Sequence, residues 1–356
     1  MSEFFEIDFI EAGNSGSGDA IALRHANGDG TEFIHVVDGG YTDDGDKLAD
    51  HIKKYYGNAS YIDHVVLTHP DGDHAAGVKK VLENFEIGVL LMNRPLNHIE
   101  ALVPLFKYEY TEAGLIQRLK NDFPHTADLE KIAEEQNIEI RDAFQGDYIG
   151  RFLVLAPSRE RYIQLVVDSE KTPEAERKAA FEGSIFEKMI QAVKNIVAEW
   201  GQENLKGDTE GTSSENEMSI VRIAELWEEK ILLTGDAGVN ALMEAYVYAT
   251  GLGVQLPGIN RFQVPHHGSR RNVSSDVLDL WLGARLGSQS ENPGYTAIIS
   301  ANQKDKDHPR KAVVRALIHR GAKVVQTTGV TCSHHGGPDR GWSGATPLTY
   351  PTEMEE

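Results

Sequence analysis

The sequence predicts an α/β fold with a layered core. Three observations predict it: strand-length apolar runs alternate with helical patterns, the runs end on Gly-Gly, Gly-Asp or Pro turns, and no apolar stretch approaches the roughly 20 residues that span a bilayer. Of the 356 residues, 40% are hydrophobic and 25% charged, which suffices for a sizeable core. Cys332 is the only cysteine, so intramolecular disulfides and thiolate metal clusters are excluded. No basic region precedes an apolar run at the N-terminus, and the expected compartment is the cytoplasm, with no membrane partner. The formal charge is −20, from 35 basic and 55 acidic residues. Such a surface repels polyanions, so extended duplex nucleic acid is a poor partner; a small phosphorylated or nucleotide-like substrate is much less affected.

The elements follow in order. FFEIDFIEA, AIALRH and EFIHVVDGG read as short strands, the last ending in a Gly-Gly turn. KLADHIKKYYG has a helical period and stops at Gly57 and Asn58. YIDHVVLT is a buried strand that delivers the chain into HPDGDHAAG; VKKVLENF resumes a helix and IGVLLMN a strand. Residues 97–142 are polar and mostly helical, and RFLVLAPS is a strand closing on a Pro turn. From about 168 to 215 the chain reads as an insertion, a charged helix followed by a Gly/Ser/Thr-rich acidic loop whose end, 202–216, is expected to be poorly ordered beside the site. MSIVRIAEL, KILLTGD, RFQVPHHGS, YTAIISANQ and AKVVQTTG are further strands, with helices at NALMEAYVYAT and PRKAVVRALIHRG. One domain is expected over 1–332, with an irregular C-terminal tail over 333–356.

The chemistry gathers in three strings. His69, Asp71, Asp73 and His74 lie within six residues at a strand end. Alternation along the strand lets His69 and Asp71 face one way, and Gly72 lets the chain turn so that Asp73 and His74 address a second point nearby. Crowding these side chains is unfavourable unless a cation holds them; an Asp-rich surface turn is the plain alternative. Asp236 ends the apolar strand of KILLTGD, where its carboxylate could bridge two ions, though a lone strand-terminal Gly-Asp is often only a turn. His266 and His267 follow RFQV in PHHGS; adjacent side chains point apart, so one of the two is expected to bind metal.

The ordered set HxDxDHxxG, LTGD and PHHGS resembles the metallo-β-lactamase superfamily, and is most similar to the soluble metallo-domain of competence-type DNA-uptake channel proteins and its free-standing relatives. DFIEAGNSGSGDAIALR, VDGG, NEMSIV, SANQKDKDHP and VVQTTG extend the likeness over roughly residues 5–332, apart from the two insertions. The transmembrane channel of those proteins has no counterpart in this sequence, so their transport role is not implied. The resemblance implies an αββα sandwich of two mixed β-sheets flanked by helices, the metallo-β-lactamase fold, with metals at one edge. It implies that His69 and Asp71 hold one divalent ion, Asp73 and His74 the other, that Asp236 bridges them, and that His267 is the late ligand while His266 faces substrate. Asp38 of VDGG should orient a ligand by hydrogen bonding. Most relatives supply one more histidine near the place that reads RFLVLAPS in this chain. Its loss leaves a carboxylate-rich set that shifts preference toward Mn²⁺ while still admitting Zn²⁺, with one or two ions bound.

His308 in DKDHPRKAVV either caps a helix or, as the resemblance implies, donates a proton or binds phosphate at the site mouth. Lys304, Arg310, Arg270 and Arg271 are candidates for an anion-binding rim, and Asp19 of GSGDA for ordering a loop that faces the site. CSHHGG and the histidines at 25, 35, 51, 64, 98, 125 and 319 are read as ordinary. The function expected is hydrolysis of a phosphodiester or other phosphoester by metal-bound hydroxide, with Asp73, His266 and His308 in catalytic roles. Two alternatives stand beside it: a carboxylic ester, lactone or amide hydrolase on the same site, and a non-catalytic metal-bearing regulatory module acting with a partner protein.

Overall fold

The computed structural model describes residues 3–14, 16–106, 110–169, 195–337 and 339–356. The first half of the chain builds one sheet. Strands β1 (Phe4–Phe9), β2 (Ala20–Ala26) and β3 (Glu32–Gly39) form an antiparallel meander, and β4 (Tyr61–Val66), β5 (Glu86–Leu91) and β6 (Glu139–Arg141) add in parallel. The second half repeats that plan. After β7 (Tyr148–Ile149) and β8 (Phe152–Ala156), a separate short strand β9 (Asn195–Val197) precedes β10 (Val221–Leu226) and β11 (Glu229–Leu233). β7, β8, β10 and β11 pair antiparallel, and β12 (Arg261–Gln263), β13 (Tyr295–Ile299) and β14 (Ala322–Gln326) continue in parallel.

Two mixed seven-stranded sheets result, because β15 (Cys332–Gly336) returns to pair antiparallel with β1. Phe5, Ile7, Phe9, Leu23, Val37 and Val66 of the first sheet meet Phe152, Val154, Leu233 and Ile298 of the second. Each such side chain stabilises the sandwich by about 1.5–3 kcal/mol. On the outer face of the first sheet Leu48, Ile52, Val78 and Val81 of the helices Thr42–Tyr55 and Val78–Asn84 form a second core. Helices Val239–Gly251, Ser275–Leu282 and Lys311–His319 cover the other sheet. The order helix, sheet, sheet, helix is the αββα sandwich expected.

The segment 97–142 is mostly helical among its described residues, with helices Glu112–Asp122 and Pro124–Gln136 before it delivers β6 to the sheet edge. Its Leu115, Leu119 and Phe123 pack with Tyr162, Leu165 and Met218 in a satellite core. Of the second insertion, the expected charged helix falls largely on residues 170–194, outside the described residues. The stretch expected to be a loose loop is held down instead. Glu203 is bonded to His319 and Arg320, the Lys206 N–H to Arg270 O at 2.7 Å, and the Gly207 N–H to Val273 O at 3.2 Å. The C-terminal segment also departs from the irregular tail expected. β15 is an edge strand, β16 (Glu353–Glu355) pairs with β9, and the Glu355 carboxylate accepts the N–H groups of Lys311 and Ala312 at a helix N-terminus. No helix among the described residues is long and apolar enough to cross a membrane.

Candidate metal centre

The site lies where strands of both sheets end. His69 follows β4, Asp236 follows β11, His266 and His267 follow β12, and Asp38 closes β3. Asp71 precedes a single helical turn, Gly72–Ala75, that carries Asp73 and His74 inward. Asp38 has φ 57°, an uncommon conformation for a side-chain-bearing residue, and this points its carboxylate back under the loop.

Three ring nitrogens converge without protein partners. His69 Nδ1 is 3.1 Å from Thr68 Oγ1, whose hydroxyl donates to Asp38 Oδ2 at 2.7 Å. His74 Nδ1 donates to the same Asp38 oxygen at 2.8 Å, and His267 Nδ1 donates to Ser300 O at 2.8 Å. Each Nδ1 therefore carries a proton, so Nε2 is the ring nitrogen left to face the site and to bind a cation there once its own proton is displaced. The three Nε2 atoms, with Asp236 Oδ1 and Asp19 Oδ1, are buried and unpaired.

Their spacing suits an ion. His69 Nε2 is 3.7 Å from both Asp71 Oδ2 and Asp236 Oδ2, and His267 Nε2 is 3.5 Å from Asp73 Oδ2 and 3.9 Å from Asp236 Oδ2. These gaps are too long for direct hydrogen bonds and match two ligand atoms at about 2.0–2.2 Å from one cation. His74 Nε2 is 3.2 Å from Asp236 Oδ1, and His74 belongs to three groups able to hold an ion, with His69 and Asp236, with Asp73 and His267, and with Asp19 and Asp38. Every residue expected as a ligand is thus brought to one place, with Asp236 central, and the donor set fits divalent metal. Asp19 joins them: its N–H meets Asp73 O at 3.3 Å, its Oδ2 accepts from Gln263 Nε2 at 2.8 Å, and it lies within ligand reach of Asp236 and His267.

The electrostatics point the same way. Burial alone would lower the His74 and His267 values, but the acids around them together outweigh it, Asp236 with Asp38 lifting His74 well above the ordinary imidazole range and Asp236 with Asp73 and Asp19 lifting His267 to about 9. Burial raises Asp19, and the charge of Asp236 pushes it the same way. Asp236 sits well below the carboxylate range, because the neighbouring histidines overcome the effect of burial. Two protons thus sit where a cation would otherwise compensate the acids.

At the rim, His266 and His267 are both left-handed, at φ 47° and 56°, so their rings diverge by 75°. The His266 ring stacks on His308 with centroids 5.6 Å apart. His308 Nδ1 is 3.2 Å from Asp305 Oδ2, which also accepts the Ser17 hydroxyl at 2.6 Å. Burial and the nearby His267 and His266 lower His308 to about 4. The expected cationic rim takes another form: Arg271 pairs with Glu210 at 3.0 Å, Arg310 with Asp307 at 3.0 Å, and Arg270 with Glu356 O at 2.9 Å. The sequence reading missed Thr68, Gln263, Asn272, Asp305 and Ser300, whose roles depend on contacts between strand ends. It also passed over His125, whose Nε2 would lie 3.0 Å from a side-chain carbon at Gly72.

The sequence model of the metallo-β-lactamase superfamily matches residues 17–148, the part that carries Asp19, Asp38 and the HPDGDH loop. The match covers the N-terminal part of the chain, and the two mixed sheets flanked by helices are consistent with the metallo-β-lactamase fold. Among solved structures the chain is similar to CmlA, a diiron β-hydroxylase from Streptomyces venezuelae, at 12% identity and TM-score 0.30 over 74% of this chain. The matched region spans 34% of the hydroxylase's length. It is also similar to the metallo-β-lactamase SMB-1 bound to 2-mercaptoethanesulfonate, at 14% identity and TM-score 0.29 over 68% of this chain and 74% of that one. A comparison with curated proteins gives no match.

Proposed function

We propose that this protein, built on the metallo-β-lactamase fold, is a metal-dependent hydrolase of phosphodiester or other phosphoester bonds in a small, nucleotide-like substrate. The observation that carries the proposal is the convergence of unpaired Nε2 atoms from His69, His74 and His267 on the Asp236 carboxylate. His69, Asp71 and Asp236 would hold one ion, and Asp73, His74 and His267 the other. Divalent metal bound there supplies an acidified water and a clamp for charge on the scissile group. The carboxylates of Asp19, Asp71, Asp73 and Asp236 make the set hard, which favours Mn²⁺ and admits Zn²⁺.

Asp73 keeps its carboxylate ionised beside His267, and His266 and His308 are the groups available to exchange protons with substrate at the rim. The phosphoester preference rests on the HHGS and HP strings. With them goes the resemblance of those strings to the competence-type metallo-domain. A net charge of −20 argues for a small substrate in place of a long polyanion.

A metal-bearing regulatory module is the second reading, favoured by RFLVLAPS, which offers no further histidine. The test is a screen with Mn²⁺ or Zn²⁺ against bis-p-nitrophenyl phosphate, nucleotides, single-stranded DNA, RNA and lactones, with elemental analysis in parallel. Wild type should carry one to two equivalents of metal, Asp73→Ala with His74→Ala should lose most of it, and Asp236→Ala should lose activity by orders of magnitude. Lactone turnover alone would replace the substrate class, and tight metal without turnover would favour the module.

A further inference from the structure

What holds Nδ1 leaves Nε2 of His267 and His69 facing inward, and the same question can be asked of His266. Its Nδ1 is 2.9 Å from Oδ1 of Asn272, a residue with no exposed surface. The Asn272 amide has only one way to face. Its Nδ2 donates to Asp236 O at 2.7 Å and reaches Ala237 O at 3.5 Å, and backbone carbonyls can only accept. Oδ1 is therefore the end turned to the ring, and Nδ1 must carry the hydrogen. Asn216 Nδ2 lies 3.0 Å from Nδ1 on another side and 2.6 Å from Thr212 Oγ1; with the Nδ1 proton fixed by Asn272, the Asn216 amide has to be reversed, so that its oxygen faces that N–H and accepts the Thr212 hydroxyl hydrogen.

The backbone is committed to this arrangement too. His266 has φ 47° and ψ 53°, a conformation that disfavours a side-chain-bearing residue by about 1–2 kcal/mol. Two backbone bonds hold it, His266 N–H to Gly235 O at 3.3 Å and Ser269 N–H to His266 O at 2.9 Å. His266 Nε2 is left 3.7 Å from Asp236 Oδ2. It stays outside the residue groups that could share an ion.

We infer that Asn272 is a positioning residue that fixes His266 as its Nδ1–H tautomer, so that Nε2 meets substrate or the attacking water as a hydrogen-bond acceptor. Asn272 also bonds the backbone of Asp236, so one amide sets both the central carboxylate and the rim imidazole. The role given to Nε2 rests on the hydrolase reading above; the tautomer does not.

The test uses Zn²⁺-loaded protein with ¹⁵N-labelled histidine at about pH 8, above the ordinary imidazole value, His266 being assigned by its loss in His266→Ala. The expected spectrum has a protonated Nδ1 and a bare Nε2. Asn272→Ala should release the ring into mixed tautomers and lower kcat by about 10- to 100-fold, read on protein held at full zinc occupancy. Asn272→Asp keeps an acceptor for Nδ1–H but loses the donor to Asp236 O, so it should restore the protonated Nδ1 signal while kcat stays below wild type. A bare Nδ1 in wild type would overturn the inference, as would ring signals unmoved in both variants. A zinc-shifted Nε2 would replace the acceptor role with ligation. If wild type hydrolyses nothing, the hydrolase reading fails while the ring signals still decide the tautomer.

Discussion

Replacing Asp38 by asparagine asks whether the metal loop depends on a carboxylate or only on its shape. Asp38 receives three hydrogens: from Thr68 N–H at 2.8 Å on one oxygen, and from the Thr68 hydroxyl at 2.7 Å and His74 Nδ1 at 2.8 Å on the other. Asparagine has one accepting end, and both of its orientations conflict with these donors. If the amide oxygen faces the Thr68 N–H, the NH₂ group faces His74 Nδ1 and moves the His74 proton to Nε2. That nitrogen, 3.2 Å from Asp236 Oδ1, would then donate to the carboxylate and could not bind metal. If the amide is reversed, a buried N–H of Thr68 is left facing an NH₂ group, which destabilises the fold by about 1–3 kcal/mol. The smaller penalty wins. Metal affinity should therefore fall by about 10- to 100-fold, or, in the reversed case, urea stability of the metal-free protein should fall by about 1–3 kcal/mol. Competition with a chelator measures the first, and urea unfolding after metal removal measures the second. If both are unchanged, the Asp38 carboxylate does not set the tautomer of His74.

Two further predictions test the frame around the site. His25, His35 and His64 are stacked inside the sandwich, with His25 and His35 Nε2 atoms 3.2 Å apart and His35 and His64 ring centroids 4.5 Å apart. Burial is the leading cause that lowers all three, His25 to about 4, so the folded form resists protons that the unfolded chain takes up near pH 6.5. Stability should be full above about pH 6.5 and fall toward about pH 4, with His25 alone contributing about 3 kcal/mol of the loss. Urea unfolding of metal-free protein should show a flatter pH dependence in His25→Phe, and equal slopes would contradict this. Arg340 tests the C-terminal segment: it meets Asp8 at 2.9 Å and Glu6 at 2.8 Å, both carboxylates almost wholly buried. Arg340→Ala should destabilise by about 3 kcal/mol, and a shift under about 0.5 kcal/mol would mean that the segment is the loose tail its composition suggests.

What was legible in the sequence had a local cause. The HPDGDH loop could be read because an apolar strand, a glycine and four metal-capable side chains are contiguous. Asp236 and His267 could be read because each ends an apolar run. The C-terminal strand could not: CSHHGG alternates as a strand should, with Cys332 and His334 buried, but its partner is β1, more than 300 residues earlier. Composition also misjudged 202–216, since polar side chains describe a loop's surface and not the backbone bonds from Lys206 and Gly207 that hold it down.

The same distinction explains which part of the site stayed hidden. Each half of the chain builds one sheet and supplies one share of the donors: His69, Asp71, Asp73 and His74 from the first, Asp236 and His267 from the second. The seam is closed by residues that no motif marks. Asp19 ties Gln263 to the backbone of Asp73, and Asn302, in the loop after β13, reaches Gly13 O at 2.7 Å. The halves therefore cannot drift apart without separating Asp73 from His267. Metal binding should for that reason stabilise the docking of the two sheets as well as the loop that carries the ligands.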